Sequence, residues 1–175
     1  MKLLIVSDSH GDDQILQTLV EHYEGQVDAL IHCGDSELSW TDPLRSHFII
    51  VQGNMDFDQD FPLQETTTIA DQKILVVHGH RYGVNFGLEQ LSLLAQEQAA
   101  NLVFYGHTHQ LACVVDQGRL FLNPGSISQP RGRFVSLKGT YAIVGVADGQ
   151  IQVQYYQRNL QPVPGLKLTF QQKEH

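Results

Sequence analysis

The chain has 175 residues, of which 42% are hydrophobic and 17% are charged, and its formal net charge is −8 at pH 7. This length predicts a single domain over residues 1–175, and no stretch approaches the roughly 20 apolar residues that a membrane span needs. The acidic balance disfavours long nucleic acid and anionic membranes as partners. Because the chain has only two cysteines and its first apolar run is too short for a signal peptide, we predict a cytoplasmic protein.

Short apolar runs dominate the first part of the chain and predict buried strands. These runs cover residues 3–7, 29–33, 48–52, 73–77 and 102–105, and a Thr-rich strand over 65–70 precedes a hairpin turn at 71–72. The segments 36–47 and 54–64 carry no such pattern and are predicted to be loops.

Two stretches have helical periodicity. Asp12 or Asp13 can cap a helix in which apolar residues recur at helical spacing over 15–20. A second helix is predicted over 88–98, where apolar residues again fall on one face. The first 33 residues therefore form a strand–helix–strand unit, which is typical of α/β architecture.

Beyond residue 106 the pattern changes to hairpins. Strands are predicted over 111–115 and 119–122, over 140–146 and 150–156, and finally over 166–170. Asp148-Gly149 is a strong hairpin signal, because both residues of the favoured two-residue turn need a positive φ. A strand–helix half followed by a strand-rich half predicts two sheets packed face to face, with the helices on the outside.

Five apolar runs end in residue types that bind metals. The residues are Asp8 and His10, Asp35, Asn54, His78 and His80, and His107 and His109. Ligands gather beyond the carboxyl ends of strands in open α/β sheets, and residues two apart in an extended chain point to the same side. Carboxylate, imidazole and amide groups without a thiolate suit Mn²⁺, Fe, Zn²⁺ or Ni²⁺ in an open site. The pattern predicts one metal-binding crevice, with two ions as the leading interpretation.

These residues form a series that resembles the motifs of the calcineurin-like metallophosphoesterase superfamily. In chain order the motifs are Asp8-x-His10, Gly34-Asp35, Gly53-Asn54, His78 and Gly106-His107-x-His109. Asn123-Pro124-Gly125-Ser126 with Pro130-Arg131 is similar to the small bacterial and archaeal phosphodiesterase branch. Asn123 and Ser126 are interpreted either as shaping a loop near the site or as ordinary turn residues. The resemblance implies a four-layer αββα sandwich of two mixed β-sheets flanked by helices.

The resemblance also implies a dinuclear centre and an activity. One metal would be held by Asp8, His10 and His109 and the other by Asn54, His78 and His107, with Asp35 bridging both. Two such cations, with Mn²⁺ as first choice and Ni²⁺, Zn²⁺ or Fe as alternatives, can share a hydroxide that attacks phosphorus in line with the leaving oxygen. We therefore predict a metal-dependent phosphoric ester hydrolase, with small phosphodiesters as the favoured substrates.

One position departs from the pattern of the superfamily. Many members place a histidine directly after the motif Asn, where it is thought to protonate the leaving group, but this chain has Met55 there. The candidate replacements are Asp56, His80 or a water on the metal, and general acid help is worth about 10²–10⁴ in rate. His80 is also a candidate for contact with the substrate phosphate, against a structural role of equal weight. Arg131 is another, because guanidinium matches phosphate geometry, against a simple surface charge.

Two other functions remain open at this point. The small subunit of the eukaryotic retromer coat shares the implied fold and binds protein partners, so a catalytically weak scaffold is the main alternative. A nuclease is the third, which the acidic charge disfavours. An exposed hairpin edge in the C-terminal half offers a surface for pairing in a homodimer. His32, which alternates within a predicted strand, is interpreted as non-functional.

Overall fold

Residues 1–172, which the computed structural model describes, form eleven strands and two α-helices. The strands are β1 (Lys2–Val6), β2 (Ala29–His32), β3 (Phe48–Ile50), β4 (Gln64–Ile69), β5 (Gln72–Val77), β6 (Leu102–Phe104), β7 (Leu111–Asp116), β8 (Arg119–Pro124), β9 (Thr140–Ala147), β10 (Gln150–Gln157) and β11 (Pro162–Gln171), and the helices are α1 (Asp13–Tyr23) and α2 (Glu89–Glu97). The last three residues of the domain predicted over 1–175 lie outside the described residues. Neither helix within 1–172 is long and apolar enough to cross a membrane.

The strands form two mixed sheets. One sheet has six strands in the order β11-β10-β9-β1-β2-β3, and the other has five in the order β4-β5-β6-β8-β7. Strands β1, β2 and β3 run parallel to one another, as do β5, β6 and β8, and the other neighbours are antiparallel. Parallel neighbours end at the same edge of a sheet, so the residues that follow β1, β2 and β3 emerge side by side.

Successive side chains of each central strand point to opposite faces of the sheet and pack in two different cores. On β1, Leu3 and Ile5 pack into the core between the two sheets, whereas Leu4 and Val6 pack in the core that contains α1. All four side chains are fully buried, and burial of such a side chain is worth about 1.5–3 kcal/mol. Strand β5 is divided in the same way between the inner core and α2. The layers are therefore helix, sheet, sheet and helix, which confirms the predicted α/β sandwich.

The first helix begins where the sequence predicts. Asp12 is the capping residue, and its side chain accepts a hydrogen bond from the backbone N–H of Ile15 at 3.3 Å. The apolar side chains that face β1 include Leu16 and Leu19, which are both fully buried. This helix anchors the loop over 7–12, which joins it to β1 and carries the first two predicted ligands.

Two elements differ from the predictions. Strand β11 runs over Pro162–Gln171 rather than 166–170, because it is an edge strand, where proline is tolerated although it cannot donate a ladder hydrogen bond. A short 3₁₀-helix at Pro43–His47 lies within the predicted loop 36–47. It forms because Asp42 caps its first turn and a proline occupies a position whose N–H has no helical partner. Neither difference moves the strand ends that carry the predicted ligands.

Candidate metal centre

The seven predicted ligands lie at the carboxyl ends of five strands, three from one sheet and two from the other. Asp8 and His10 follow β1, Asp35 follows β2, Asn54 follows β3, His78 follows β5, and His107 and His109 follow β6. A hydrogen bond between Gly106 N–H and the carbonyl of His78, at 2.9 Å, joins the ends of β5 and β6. The two sheets thus contribute different ligands to one crevice.

One half of the crevice contains two carboxylates and two imidazoles. Ligand atoms of Asp8, His10, Asp35 and His109 all lie within 4.8 Å of one another. The Nε2 atoms of His10 and His109 are 3.2 Å apart, and Oδ1 of Asp8 is 3.3 Å from Nε2 of His109. Four ligand atoms at this spacing can surround a single cation.

The other half contains the amide and the remaining imidazoles. Oδ1 of Asn54 lies 3.1 Å from Nε2 of His78 and 3.0 Å from Nδ1 of His107. Oδ2 of Asp35 lies 3.3 Å from Nε2 of His78 and 4.0 Å from Nε2 of His10. Asp35 therefore reaches both halves, which is the position that the resemblance implies for a bridging ligand.

The outer nitrogen of three histidines is held by a hydrogen-bond acceptor. Nδ1 of His10 faces Glu37 Oε1 at 3.0 Å, Nδ1 of His78 faces the carbonyl of Cys33 at 2.8 Å, and Nδ1 of His109 faces the carbonyl of Gln129 at 2.7 Å. These partners place the proton of each neutral ring on Nδ1, so that Nε2 presents a lone pair to the crevice.

The crevice therefore brings together atoms that all offer lone pairs. Asp8 Oδ1 is buried and has no hydrogen-bond partner within residues 1–172, since the facing Nε2 of His109 carries no proton in the neutral ring. A buried acceptor without a donor is costly, and imidazole and carboxylate lone pairs at 3.2–3.3 Å repel one another. Divalent cations relieve both penalties, so the residues fit a metal centre.

The pKa directions agree with this arrangement. Burial lowers the pKa of His78, but the carboxylates of Asp35 and Asp8 outweigh it and the pKa is raised. The pKa of His109 is raised in the same way, because Asp8 outweighs burial. In the absence of a cation, the same carboxylates stabilise a proton on these two imidazoles. Metal ions and protons therefore compete for these ligands. His80 behaves differently, since burial and the charge of His78 lower its pKa to about 4.

Five of the seven ligands have a left-handed backbone. The φ angles of Asp8, His10, Asp35, His107 and His109 lie between 48° and 69°. For residues other than glycine this conformation costs about 1–3 kcal/mol each, and it persists only where the surroundings enforce it. Backbone strain is thus concentrated at the ends of the strands where the ligands converge.

Glycines precede the ligands because the strand ends lie very close together. A Cβ atom on Gly53 would lie 2.0 Å from Oδ1 of Asp35, and one on Gly106 would lie 2.0 Å from Oγ of Ser7. Gly34, Gly53 and Gly106 each precede a predicted ligand, and of these three only Gly34 has a positive φ, at 94°. Gly53 therefore provides space for Asp35 rather than a sharp turn of its own backbone.

The family follows from a comparison over most of the chain. The model of the calcineurin-like phosphoesterase superfamily domain matches residues 1–149. The chain belongs to this superfamily. The match contains all seven predicted ligands and the β1–β9 framework of the two sheets up to the turn after β9.

Individual relatives agree with this assignment. The probable metallophosphoesterase YsnB of Bacillus subtilis is 40% identical over 156 residues, which cover 89% of this chain and 90% of YsnB. A crystal structure from Streptococcus pneumoniae, described as an uncharacterized, predicted phosphoesterase, is 39% identical with a TM-score of 0.93, covering 98% of this chain and 97% of that one. Vps29 of Chaetomium thermophilum has a TM-score of 0.74 at 19% identity, covering 99% and 98% of the two chains, and shares the fold alone.

The geometry of Asp56 in this member of the superfamily does not fit the predicted role of leaving-group acid. Its carboxylate is 6% exposed and accepts four hydrogen bonds, from the N–H groups of Asp35, Glu37 and Gly53 and from the hydroxyl of Ser36. Each oxygen accepts two of these hydrogen bonds, so the carboxylate is bound to the surrounding loops rather than free to reach a leaving group.

The remaining predicted site residues lie beside the metal ligands. The ring of His80 is 5.3 Å from that of His78, centroid to centroid, and its buried Nδ1 has no hydrogen-bond partner among residues 1–172. Arg131 is exposed, and its backbone N–H donates to the carbonyl of His109 at 3.0 Å. Met55 is 40% exposed, and its N–H donates to Oδ1 of Asp35 at 2.7 Å. The structure thus leaves His80 and Arg131 as candidates for contact with substrate.

Several residues that support the ligands have no signal in the sequence pattern. Fully buried His32, interpreted from the sequence as non-functional, faces Oγ of Ser9 at 3.0 Å through Nε2, and its Nδ1 accepts from the N–H of Gly34 at 3.1 Å. It thereby links the loop after β1 to the loop after β2. Ser126 Oγ donates to the carbonyl of Asp8 at 2.7 Å, which supports its interpretation as a residue that shapes the site. Only its place in the Asn-Pro-Gly-Ser motif marks Ser126 in the sequence.

Proposed function

We propose that this protein is a dinuclear-metal-dependent phosphodiesterase that acts on small phosphodiesters. The observation that carries the proposal is the convergence of seven ligands in two sets that share Asp35. Two divalent cations, with Mn²⁺ as first choice over Ni²⁺, Zn²⁺ or Fe, would neutralise charge on the phosphoryl group and make water more acidic.

The side chains of this chain would divide the work. Asp8, His10 and His109 would hold one cation, and Asn54, His78 and His107 would hold the other, with Asp35 available to both sets. Asn54 is exposed and His107 is half-buried, so the second half of the centre faces the solvent from which a substrate arrives. His80 is neutral at pH 7 and can offer a hydrogen bond but no charge to a phosphate oxygen, whereas Arg131 can offer both.

The choice of a small diester rests on two supports. The motif at the end of β8, Asn123 to Ser126 with Arg131, resembles the small phosphodiesterase branch, and a net charge of −8 disfavours long polyanions. Cys33 and Cys113 are both free thiols, which suits the reducing cytoplasm that we propose as its location. A homodimer through an exposed strand edge remains part of the proposal.

The test compares two chromogenic esters. Metal-stripped and Mn²⁺-loaded protein are assayed side by side with bis-p-nitrophenyl phosphate and p-nitrophenyl phosphate, with bound metal measured in each preparation. We expect metal-dependent cleavage that favours the diester. If two equivalents of Mn²⁺, Ni²⁺ or Zn²⁺ bind and neither ester is cleaved, the enzyme proposal is wrong and the scaffold alternative stands.

Replacing Met55 by histidine is expected to increase the hydrolysis of a diester that has a poor, alkyl leaving group. The side chain is 40% exposed and its backbone is tied to Asp35, so a histidine there is next to the metal ligands and able to donate a proton. We expect Met55→His to raise kcat by at least about tenfold, toward the usual 10²–10⁴ of general acid catalysis. The measurement is kcat for a dialkyl phosphate under Mn²⁺ saturation.

The control for this substitution is a second substrate with a better leaving group, bis-p-nitrophenyl phosphate. p-Nitrophenolate needs little protonation, so bis-p-nitrophenyl phosphate turnover should change much less than turnover of the alkyl ester. An equal gain on both substrates, or none on the alkyl ester, would contradict the assignment of position 55 as the missing acid.

A further inference from the structure

The carboxylate of Asp56 lies at the junction of the two loops that carry Asp35 and Asn54. Its Oδ2 accepts from the N–H of Asp35 at 2.8 Å and from the N–H of Gly53 at 2.7 Å. Its Oδ1 accepts from the N–H of Glu37 at 2.7 Å and from Oγ of Ser36 at 3.1 Å. The donors come from both loops, so this one buried group joins them.

The loop after β2 is folded around this carboxylate. Asp35 and Glu37 have φ angles of 54° and 60°, and the residues between β2 and Leu38 direct successive donors toward one point. Concave arrangements of backbone N–H groups with alternating conformations are anion-binding sites. Here the anion is supplied by the chain itself, and it stabilises a conformation that Asp35 would otherwise avoid.

Three of the four donors lead to different metal ligands. Asp35 is the residue that reaches both halves of the centre, and Gly53 directly precedes Asn54 in the second half. Oε1 of Glu37 accepts a hydrogen bond from Nδ1 of His10 at 3.0 Å, and His10 belongs to the first half of the centre. A shift of the Asp56 carboxylate would therefore displace ligands of both cations at once.

We propose that Asp56 is a positioning residue that sets the spacing between the two halves of the metal centre. This inference rests on the dinuclear site of the proposed function. None of the hydrogen bonds of Asp56 goes to a predicted ligand atom, so it acts through the backbone positions of Asp35, Glu37 and Gly53.

Asp58 provides a matched control. It lies two residues further along the same loop and also accepts backbone hydrogen bonds, from the N–H of Trp40 at 2.8 Å and of Asp60 at 3.1 Å. None of its donors belongs to or precedes a predicted ligand. Asp58→Asn therefore removes a carboxylate and the same type of contact from the same loop. The hydrogen bonds of Asp56 that join the loops carrying Asp35 and Asn54 stay in place.

The experiment uses Asp56→Asn and Asp58→Asn in the full chain, and Mn²⁺ as the probe. Asparagine offers one acceptor oxygen and one donor, so in Asp56→Asn either the pair of Asp35 and Gly53 or the pair of Glu37 and Ser36 must lose its acceptor. We expect Mn²⁺ binding to weaken by about 10–100-fold, as for other partners that orient ligands. At saturating Mn²⁺ we expect the electron paramagnetic resonance spectrum of an exchange-coupled pair in the wild type and in Asp58→Asn, and spectra of uncoupled ions in Asp56→Asn.

Amide hydrogen exchange in the metal-free protein gives a second, independent measurement. In the wild type, the amides of Asp35, Glu37 and Gly53 should be protected, and in Asp56→Asn those that lose their acceptor should exchange at least about tenfold faster, with the helices unchanged. Rapid exchange of these amides in the wild type overturns the proposal even if the variant does not fold. A coupled pair with wild-type affinity in Asp56→Asn overturns it too. If the wild type itself binds no pair, the proposed function fails instead.

Discussion

Replacing Asp35 by asparagine is expected to lower the metal-dependent hydrolysis of bis-p-nitrophenyl phosphate by about 10³-fold or more. Asp35 is 2% exposed, and its carboxylate reaches His78 in one half of the centre and His10 in the other. Asparagine keeps the shape and can still accept from the N–H of Met55 through Oδ1, but it loses the charge and one anionic oxygen. The substitution therefore tests the bridging charge with little change in packing.

The measurement is kcat and the number of bound Mn²⁺ ions for Asp35→Asn and for Asp116→Asn. Asp116 is an exposed aspartate at the end of the edge strand β7, so its substitution removes one negative charge without touching the site. We expect Asp116→Asn to behave as the wild type. Two tightly bound ions and near-normal turnover in Asp35→Asn would show that Asp35 does not bridge the centre.

Replacing Gly53 by alanine is expected to lower both the stability of the protein and its affinity for metal. The added Cβ would lie 2.0 Å from Oδ1 and 2.3 Å from the backbone nitrogen of Asp35. The nitrogen belongs to a loop held by Asp56, so the loop must shift as a whole. We expect a loss of about 1–3 kcal/mol in the free energy of unfolding of the metal-free protein. Weaker Mn²⁺ binding should accompany it, because Asp35 and Asn54 are displaced together.

The control is Gly145→Ala. Gly145 lies in strand β9, where an added Cβ meets nothing within 4 Å, and its φ is not positive. Alanine should be neutral or slightly stabilising at this position, since it reduces the entropy of the unfolded chain. Urea unfolding curves with and without Mn²⁺ measure both quantities. Equal unfolding midpoints for the two variants would contradict the close approach of the β2 and β3 ends.

Much of the fold could be predicted from local patterns. The buried strands β1, β2, β5 and β6 are short aliphatic runs that stop at a glycine or a polar residue, and the Asp148-Gly149 turn marks the hairpin of β9 and β10. Strand β11 was predicted too short because Pro162 and Pro164 break the pattern. Only the sheet order shows that β11 lies at an edge, where prolines are tolerated.

The candidate ligands were visible because their chemistry is unusual at the end of a strand. Aspartate, asparagine and histidine directly after a buried run have few structural reasons to be there, and spacing of two residues directs Asp8 and His10 to one side. The supporting roles of other residues were not predicted, for the opposite reason. His32 lies inside an apolar run, and Glu37 and Asp56 lie in polar loops where acidic residues are ordinary. Their importance comes from partners distant in the chain.

The sequence by itself determined which strands exist, that β1 and β5 are buried, and which side chains can hold a metal, because these properties depend on residue type and on short-range periodicity. Only the tertiary structure decided how the two sets of ligands meet. Asp35 reaches His10 and His78 because parallel strands of two packed sheets end at the same edge. Asp56 changed from a candidate acid to a group that joins two loops because its four donors meet only in the folded chain. A contact between residues about 20 positions apart leaves no mark in local periodicity, so only the folded chain shows which donors this buried carboxylate accepts from.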